Sequence, residues 1–300
     1  MKTVHFPNEY SFQQFQQLEI QLEPEEQLVR LNLNSFPRPS VTPQLVSEIR
    51  IFQTTLENSK GRLYYQGKDV DVKYHVLASK IPGVFSLGGD LSLFLQHIKN
   101  RNRSGMASYA RSCIDGIYPF IVNYNLPIAT ISLLQGDALG GGLEIALSSD
   151  IVIAERSVNM GFPEILFNLF PGMGAYHLLA KRISPALADK IISSGNIYSA
   201  QEMYDMGIVD ILADDGEGED ALRSYIKNRN RHWNGHLAMD SAKKIINPIT
   251  YEKLMDVCDI WIDAAMNLSE KDLSVIKRLV RAQERKIEQR EELTREVALA

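Results

Sequence analysis

Cysteine is almost missing from this chain: Cys113 and Cys258 are the two in 300 residues. That excludes a disulfide framework and a thiolate-rich metal centre, and fits a reducing, cytoplasmic compartment. No run of about 18 apolar residues occurs, so the sequence offers no membrane-spanning helix. The opening residues lack the apolar core of a secretory signal and instead carry Asn8, Glu9 and glutamines at 13, 14, 16 and 17. Positive charge is not in surplus. With a net charge of −5, a broad nucleic-acid-binding face is not indicated. The Gly-x-Ser-x-Gly nucleophile turn is absent, as are the Gly-Lys-Ser/Thr of a P-loop and the Gly-x-Gly-x-x-Gly dinucleotide fingerprint. Neither a metal nor a cofactor is expected. There is no internal repeat and no low-complexity linker. What remains is an ordinary globular composition, 45% hydrophobic and 23% charged, in a chain long enough for one large domain or two modest ones.

Apolar periodicity divides the chain into alternating strands and helices. The first 24 residues read as an arm or lead-in strand. Residues 27–33 alternate, with Val29, Leu31 and Leu33 opposite Arg30 and Asn32, which predicts a strand. Thr42-Pro43 reads as an N-cap followed by proline at the first helical position, and Leu45, Ile49, Phe52 and Leu56 mark one helical face. Strands are expected at 63–65 and 70–78 around a turn at 66–69. Asp90 reads as the cap of a helix bearing Leu91, Phe94, Leu95 and Ile98. After a basic break at 99–104, a second amphipathic helix carries Met106 to Ile121. Further strands are expected at 128–134, 150–154 and 208–212, and helix-like runs at 144–149, in a segment starting with Pro171-Gly172-Met173-Gly174, and at 185–193. Ser199 with Glu202 three positions on is a capping box, and Gly207 is a helix stop. Beyond Glu217 only helices are expected, so the fold class is an α/β core, residues 1–215 with an N-terminal arm, followed by a helical segment, 216–300.

The densest chemistry lies in Gly136-Asp137-Ala138-Leu139-Gly140-Gly141-Gly142-Leu143-Glu144, followed by Phe162-Pro163-Glu164. Glycines between a strand and a helix let backbone N–H groups approach a ligand where a Cβ would stand in the way. A helix start also offers unpaired donors suited to an oxyanion. A second turn of the same kind, Ser86-Leu87-Gly88-Gly89-Asp90, precedes it. Donors facing two carboxylates suit acyl-thioester chemistry. Removing a proton α to a thioester puts charge on the carbonyl oxygen, and losing one donor there typically costs about 2.7–4 kcal/mol of barrier. Two close carboxylates can act as acid and base, because burial and repulsion keep one protonated.

These two turns, with Glu144 and Glu164 beyond the second, resemble the crotonase (enoyl-CoA hydratase/isomerase) family. The resemblance covers roughly residues 25–215. It implies the ClpP/crotonase-like spiral fold of ββα units, with Leu87 and Gly141 as the oxyanion-hole donors and Glu144 and Glu164 as the two catalytic acids. Gly88, Gly140, Phe170 and Met173 would contact substrate. Leu87 and Gly141 are 54 positions apart, and a helical insertion lies between them around 91–124. That insertion, the run Leu166 to Tyr176 and the tail segment Leu279-Val280-Arg281-Ala282-Gln283 resemble the diffusible signal factor synthases. This closer resemblance implies a bacterial enzyme that dehydrates a 3-hydroxyacyl group on acyl carrier protein or CoA. Thioester hydrolysis would then release a cis-2-unsaturated fatty-acid signal. It also implies a homotrimer with the helices after 216 packed between subunits and over the pocket, and a possible signal-sensor partner.

Each residue also has a plainer reading. Alone, three glycines are more often a tight turn, Glu144 a solvated helix residue and Glu164 a loop carboxylate. Asp90 is a cap, Ser86 has no catalytic partner, and His177 reads as structural. The ordered combination lifts the two glutamates above these readings. A conventional enoyl-CoA hydratase is the competing enzyme. A crotonase-fold protein that only sequesters a signalling partner is the competing non-enzyme.

Overall fold

The computed structural model describes residues 15–36, 38–65 and 67–282. The expected arm before residue 15, and the tail residue Gln283, lie outside them. The chain enters through β1 (Leu18–Glu23) and β2 (Leu28–Leu33), an antiparallel pair, then α1 (Pro43–Asn58) and a hairpin of β3 (Arg62–Tyr65) and β4 (Lys68–Asp71). Next come β5 (Tyr74–Ser79), β6 (Val84–Ser86), α2 (Leu91–Lys99) and α3 (Arg103–Ile121). The glycine-rich stretch follows β7 (Ala129–Leu134) and spans β8 (Asp137–Leu139) and the start of α4 (Gly141–Leu147). There follow β9 (Ile151–Glu155), β10 (Asn159–Gly161), α5 (Ala175–Ala180), α6 (Pro185–Ser194), β11 (Ile197–Ser199), α7 (Ala200–Asp205) and β12 (Ile211–Ala213). The helical end holds α8 (Gly218–Asn230), α9 (Trp233–Ile246), α10 (Tyr251–Met266) and a last helix over 270–282.

Two sheets organise this order. One runs β1-β2-β5-β7-β9-β12, the other β11-β10-β8-β6. Three times the chain places one strand in the large sheet, the next in the small sheet and then a helix: β5-β6-α2, β7-β8-α4 and β9-β10-α5. This is a spiral of ββα turns. Each turn ends at a strand-to-helix junction beside the small sheet, so the two glycine turns become spatial neighbours although they are far apart in sequence.

The large sheet is buried on both faces. Leu28, Tyr74, Val76, Ile131 and Ile153 pack under Leu222 and Ile226 of α8, whereas Val29, Leu31 and Leu77 belong to the main core. Full burial of such an aliphatic side chain contributes about 1.5–3 kcal/mol. Strand β2 therefore departs from the alternation expected of a half-exposed strand: every residue in it is buried. Arg30, on the side opposite Val29 and Leu31, is held by Glu23 and Glu219 at 3.3 and 2.7 Å.

Most helix starts follow the sequence signals. The Thr42 hydroxyl accepts from Leu45 N–H, Asp90 from Ser92 and Leu93 N–H, and Ser199 and Glu202 form the reciprocal capping box. Three boundaries differ. The single strand expected at 70–78 is two, β4 and β5, in different sheets. The helix expected from Glu144 begins at Gly141, so the glycines are its first turn. The proline-glycine run 171–174 precedes α5 rather than forming part of it.

Candidate active site

The first glycine turn is set by a short parallel bridge between Val41 and Gly89. Val41 N–H donates to the Gly88 carbonyl at 2.8 Å. In a trans peptide the C=O and the following N–H point in opposite directions. The Gly89 N–H is therefore turned away from Val41, and no described hydrogen bond uses it. Leu87, the donor expected from the sequence resemblance, is not available: its N–H donates to the Pro39 carbonyl at 2.8 Å. The structure corrects the assignment by two residues, to Gly89.

The second turn lies against the first. A Cβ on Gly88, whose φ is +87°, would come within 2.8 Å of the Leu139 carbonyl and 2.9 Å of Gly141 N. A Cβ on Gly141 would lie 3.4 Å from Gly89 N. Only glycine permits this approach at 88, and it brings the Gly89 and Gly141 amides together at one wall of a cavity. Gly141 is the first residue of α4, where an N–H has no partner within the helix.

Glu144 projects from the first turn of α4, and its Oε1 accepts from Met173 N–H at 2.7 Å and Ala175 N–H at 2.9 Å. It is 1% exposed, and burial raises its pKa to about 8 while those two amides oppose the rise. Glu164 follows Pro163 in a single tight turn closed by Asn168 in the left-handed conformation. Its Oε2 is buried with no partner among the described residues, and its Oε1 lies over Gly140. Burial, and next the charge of Glu144, raise the Glu164 pKa to about 8 as well.

The two shifts match in size, but the surroundings differ in what they favour. Two backbone donors, from Met173 and Ala175, favour an ionised Glu144, whereas Glu164 is opposed in its rise only by its own backbone N–H and keeps an Oε2 without a partner among the described residues.

Both glutamates face a cavity of about 310 Å³, also lined by Leu87, Gly88, Gly89, Gly140, Gly141 and Met173. Its apolar wall comes from α2 and α3 (Phe94, Tyr109, Ala110, Cys113), from Phe167 and Leu169, and from the helical end (Trp261, Leu279, Ala282). Trp261 lies edge-on to Phe94, with ring centroids 5.1 Å apart. Its indole also lies on Gly172, where a Cβ would be 2.4 Å from the ring. Phe170 does not line the cavity. It is half-buried against the core, and its neighbours Phe167 and Leu169 face the space instead. His177 is half-buried away from the cavity, and its Nδ1 has no hydrogen-bond partner among the described residues. The sequence reading missed Gly89, Tyr109 and Trp261. Gly89 was visible as the residue before the Asp90 cap, but Tyr109 and Trp261 carried no signal beyond helical periodicity. No cluster of metal-ligating side chains occurs among the described residues, and no helix among them is long and apolar enough to cross a membrane.

Two glycine turns stacked at a strand-to-helix junction, beside paired buried carboxylates, are the arrangement that the sequence resemblance led one to expect. The enoyl-CoA hydratase/isomerase family profile matches residues 51–268, and the chain belongs to that family. It is 33% identical over 181 residues to mitochondrial methylglutaconyl-CoA hydratase of Mus musculus, covering 60% of this chain and 55% of that protein. The Homo sapiens counterpart is 32% identical over 181 residues, covering 60% of this chain and 51% of that protein. The chain thus spans about half the length of the curated relatives it matches. Among solved structures, enoyl-CoA hydratase from Bacillus halodurans superposes with TM-score 0.72 at 16% identity, over 87% of this chain and 100% of that one. Pseudomonas aeruginosa DspI gives TM-score 0.61 at 22% identity, over 94% and 98%. These likenesses establish the crotonase fold.

Proposed function

We propose that the protein dehydrates a 3-hydroxyacyl thioester, on acyl carrier protein or CoA, and hydrolyses the product to a free cis-2-unsaturated fatty acid that serves as a diffusible signal. The observation that carries this reading is the convergence of Glu144, Glu164 and the free amides of Gly89 and Gly141 on one apolar cavity. The thioester oxygen sits between the two amides. Ionised Glu144 takes the proton from C2, and the resulting enolate charge is met by the amide pair. Protonated Glu164 delivers its proton to the hydroxyl on C3 as the C–O bond breaks, so water leaves and the C2–C3 double bond forms.

For the second step, the pair returns to one proton. A carboxylate then takes a proton from a water whose oxygen bonds to the thioester carbon. The same amides hold the tetrahedral oxyanion until the C–S bond breaks and the thiol leaves with a proton. A cis product requires the chain to be bent at C2–C3, which a cavity walled by α2, α3 and the last helix supports. Residues 216–300 act in this reading as a segment that covers the pocket and packs between the subunits of a homotrimer. A bacterial cytoplasmic setting and a signal-sensor partner belong to the same proposal.

The second reading is a conventional enoyl-CoA hydratase, favoured by the named activity of the methylglutaconyl-CoA hydratases to which the chain is similar. Purified protein given a 3-hydroxyacyl carrier-protein substrate separates the two. Free cis-2-enoic acid supports the synthase. Rapid hydration of trans-2-enoyl-CoA with no acid released supports the hydratase.

A further inference from the structure

Tyr109, on the helix between the two glycine turns, stands behind the first oxyanion donor. Its hydroxyl accepts from Asp90 N–H at 3.1 Å and donates to the Val41 carbonyl. Those groups flank the Val41–Gly89 bridge, on the side opposite the Val41 N–H bond to the Gly88 carbonyl. One hydroxyl therefore ties the peptide after Gly89 to the segment that orients the peptide before it.

The ring is fixed too. It is 6% exposed and lies edge-on to Phe94 at 5.7 Å. Cys113 and Asp90 are the other polar neighbours of the hydroxyl, and burial holds its pKa well above the ordinary range, so it stays a neutral donor and acceptor. Asp90 is itself fixed as the cap of α2 by bonds to Ser92 and Leu93 N–H.

We propose that Tyr109 is a positioning residue, whose hydroxyl clamps the Gly88-Gly89-Asp90 backbone to Val41 and so aims the Gly89 N–H at the substrate carbonyl. It touches no reacting atom and acts through the backbone. The proposal rests on the acyl-thioester reading of the cavity. Without the hydroxyl, the Asp90 N–H and Val41 carbonyl lose their shared partner. The Val41–Gly89 bridge then loses the Tyr109 contact on its Asp90 side, and the Gly89 peptide can rotate off line, leaving Gly141 to polarise the carbonyl alone.

Difference infrared spectroscopy of bound [1-13C]decanoyl-CoA tests this, because the thioester carbonyl band moves to lower frequency in proportion to the donors aimed at it. The wild-type protein should shift the band. Folded Tyr109→Phe should lose about half of that shift, one donor of two, with kcat reduced about tenfold or more and ligand affinity little changed. If Tyr109→Phe does not fold, 4-aminophenylalanine at 109 decides. As a weaker donor to Val41 it should give a band between the free and wild-type positions. A wild-type band in either variant overturns the clamp. An unshifted band in the wild type itself overturns the thioester reading of the cavity instead.

Discussion

The Glu164 carboxylate occupies the space a side chain on Gly140 would fill: a Cβ built there would lie 2.5 Å from Oε1. Gly140 has φ +54° and precedes α4, so one glycine shapes the turn and leaves room for the acid. Gly140→Ala should strain the backbone by about 1–3 kcal/mol and push Glu164 out of place. Misplacement of a catalytic group by about 1 Å can cost about 100-fold, so kcat should fall by that order in a variant that still folds. Thermal melting and steady-state kinetics on the same preparation check both parts.

Dehydration needs one proton on the carboxylate pair. Burial raises both glutamates to about 8. The rate should therefore peak near pH 8, falling above it as the pair loses its last proton and below it as both carboxyls become protonated. In Glu164→Gln the alkaline limb should disappear from the residual activity. A kcat/KM profile from pH 5 to 10 measures this.

The same shifts bear on stability. A carboxyl whose folded pKa lies above its ordinary 4.5 binds more protons folded than unfolded. Its contribution is present in full below pH ~4.5 and is lost as pH rises through about 8. Glu164→Gln cannot ionise, so its melting temperature relative to wild type should climb between pH 5 and pH 9. Calorimetric melts at the two pH values give the difference directly.

Gly172 lets the Trp261 indole rest on the backbone, with a would-be Cβ 2.4 Å from Cγ. Gly172→Ala should displace the ring and destabilise the protein by about 1–3 kcal/mol. Because Trp261 walls the cavity, acyl binding should weaken with it. Tryptophan fluorescence and denaturant titration report the two effects.

The long elements were readable because burial imposes a period over many residues: α1, α2, α3 and β7 follow their apolar spacing. The small sheet was hidden. Its strands β6, β8, β10 and β11 have three residues each, too few for alternation to register. Yet that sheet aligns the two glycine turns. Glu144 and Glu164 were legible because glycine and proline punctuate the chain beside them. The donor at the first turn was misplaced by two residues, because which amide is free depends on Pro39 and Val41, some 48 positions from the turn in sequence and adjacent to it only in the fold. That Arg30 would be buried was not readable from the alternation, because its partners, Glu23 and Glu219, lie outside β2.

The central claim is that Glu144 and Glu164 together carry out elimination and release of a free acid. Mass spectrometry of fatty acids released from a purified 3-hydroxyacyl carrier-protein substrate tests it most directly, with wild type, Glu144→Ala and Glu164→Ala compared. The account predicts cis-2-enoic acid from the wild type and none above background from either variant. Undiminished acid from either alanine variant would contradict it.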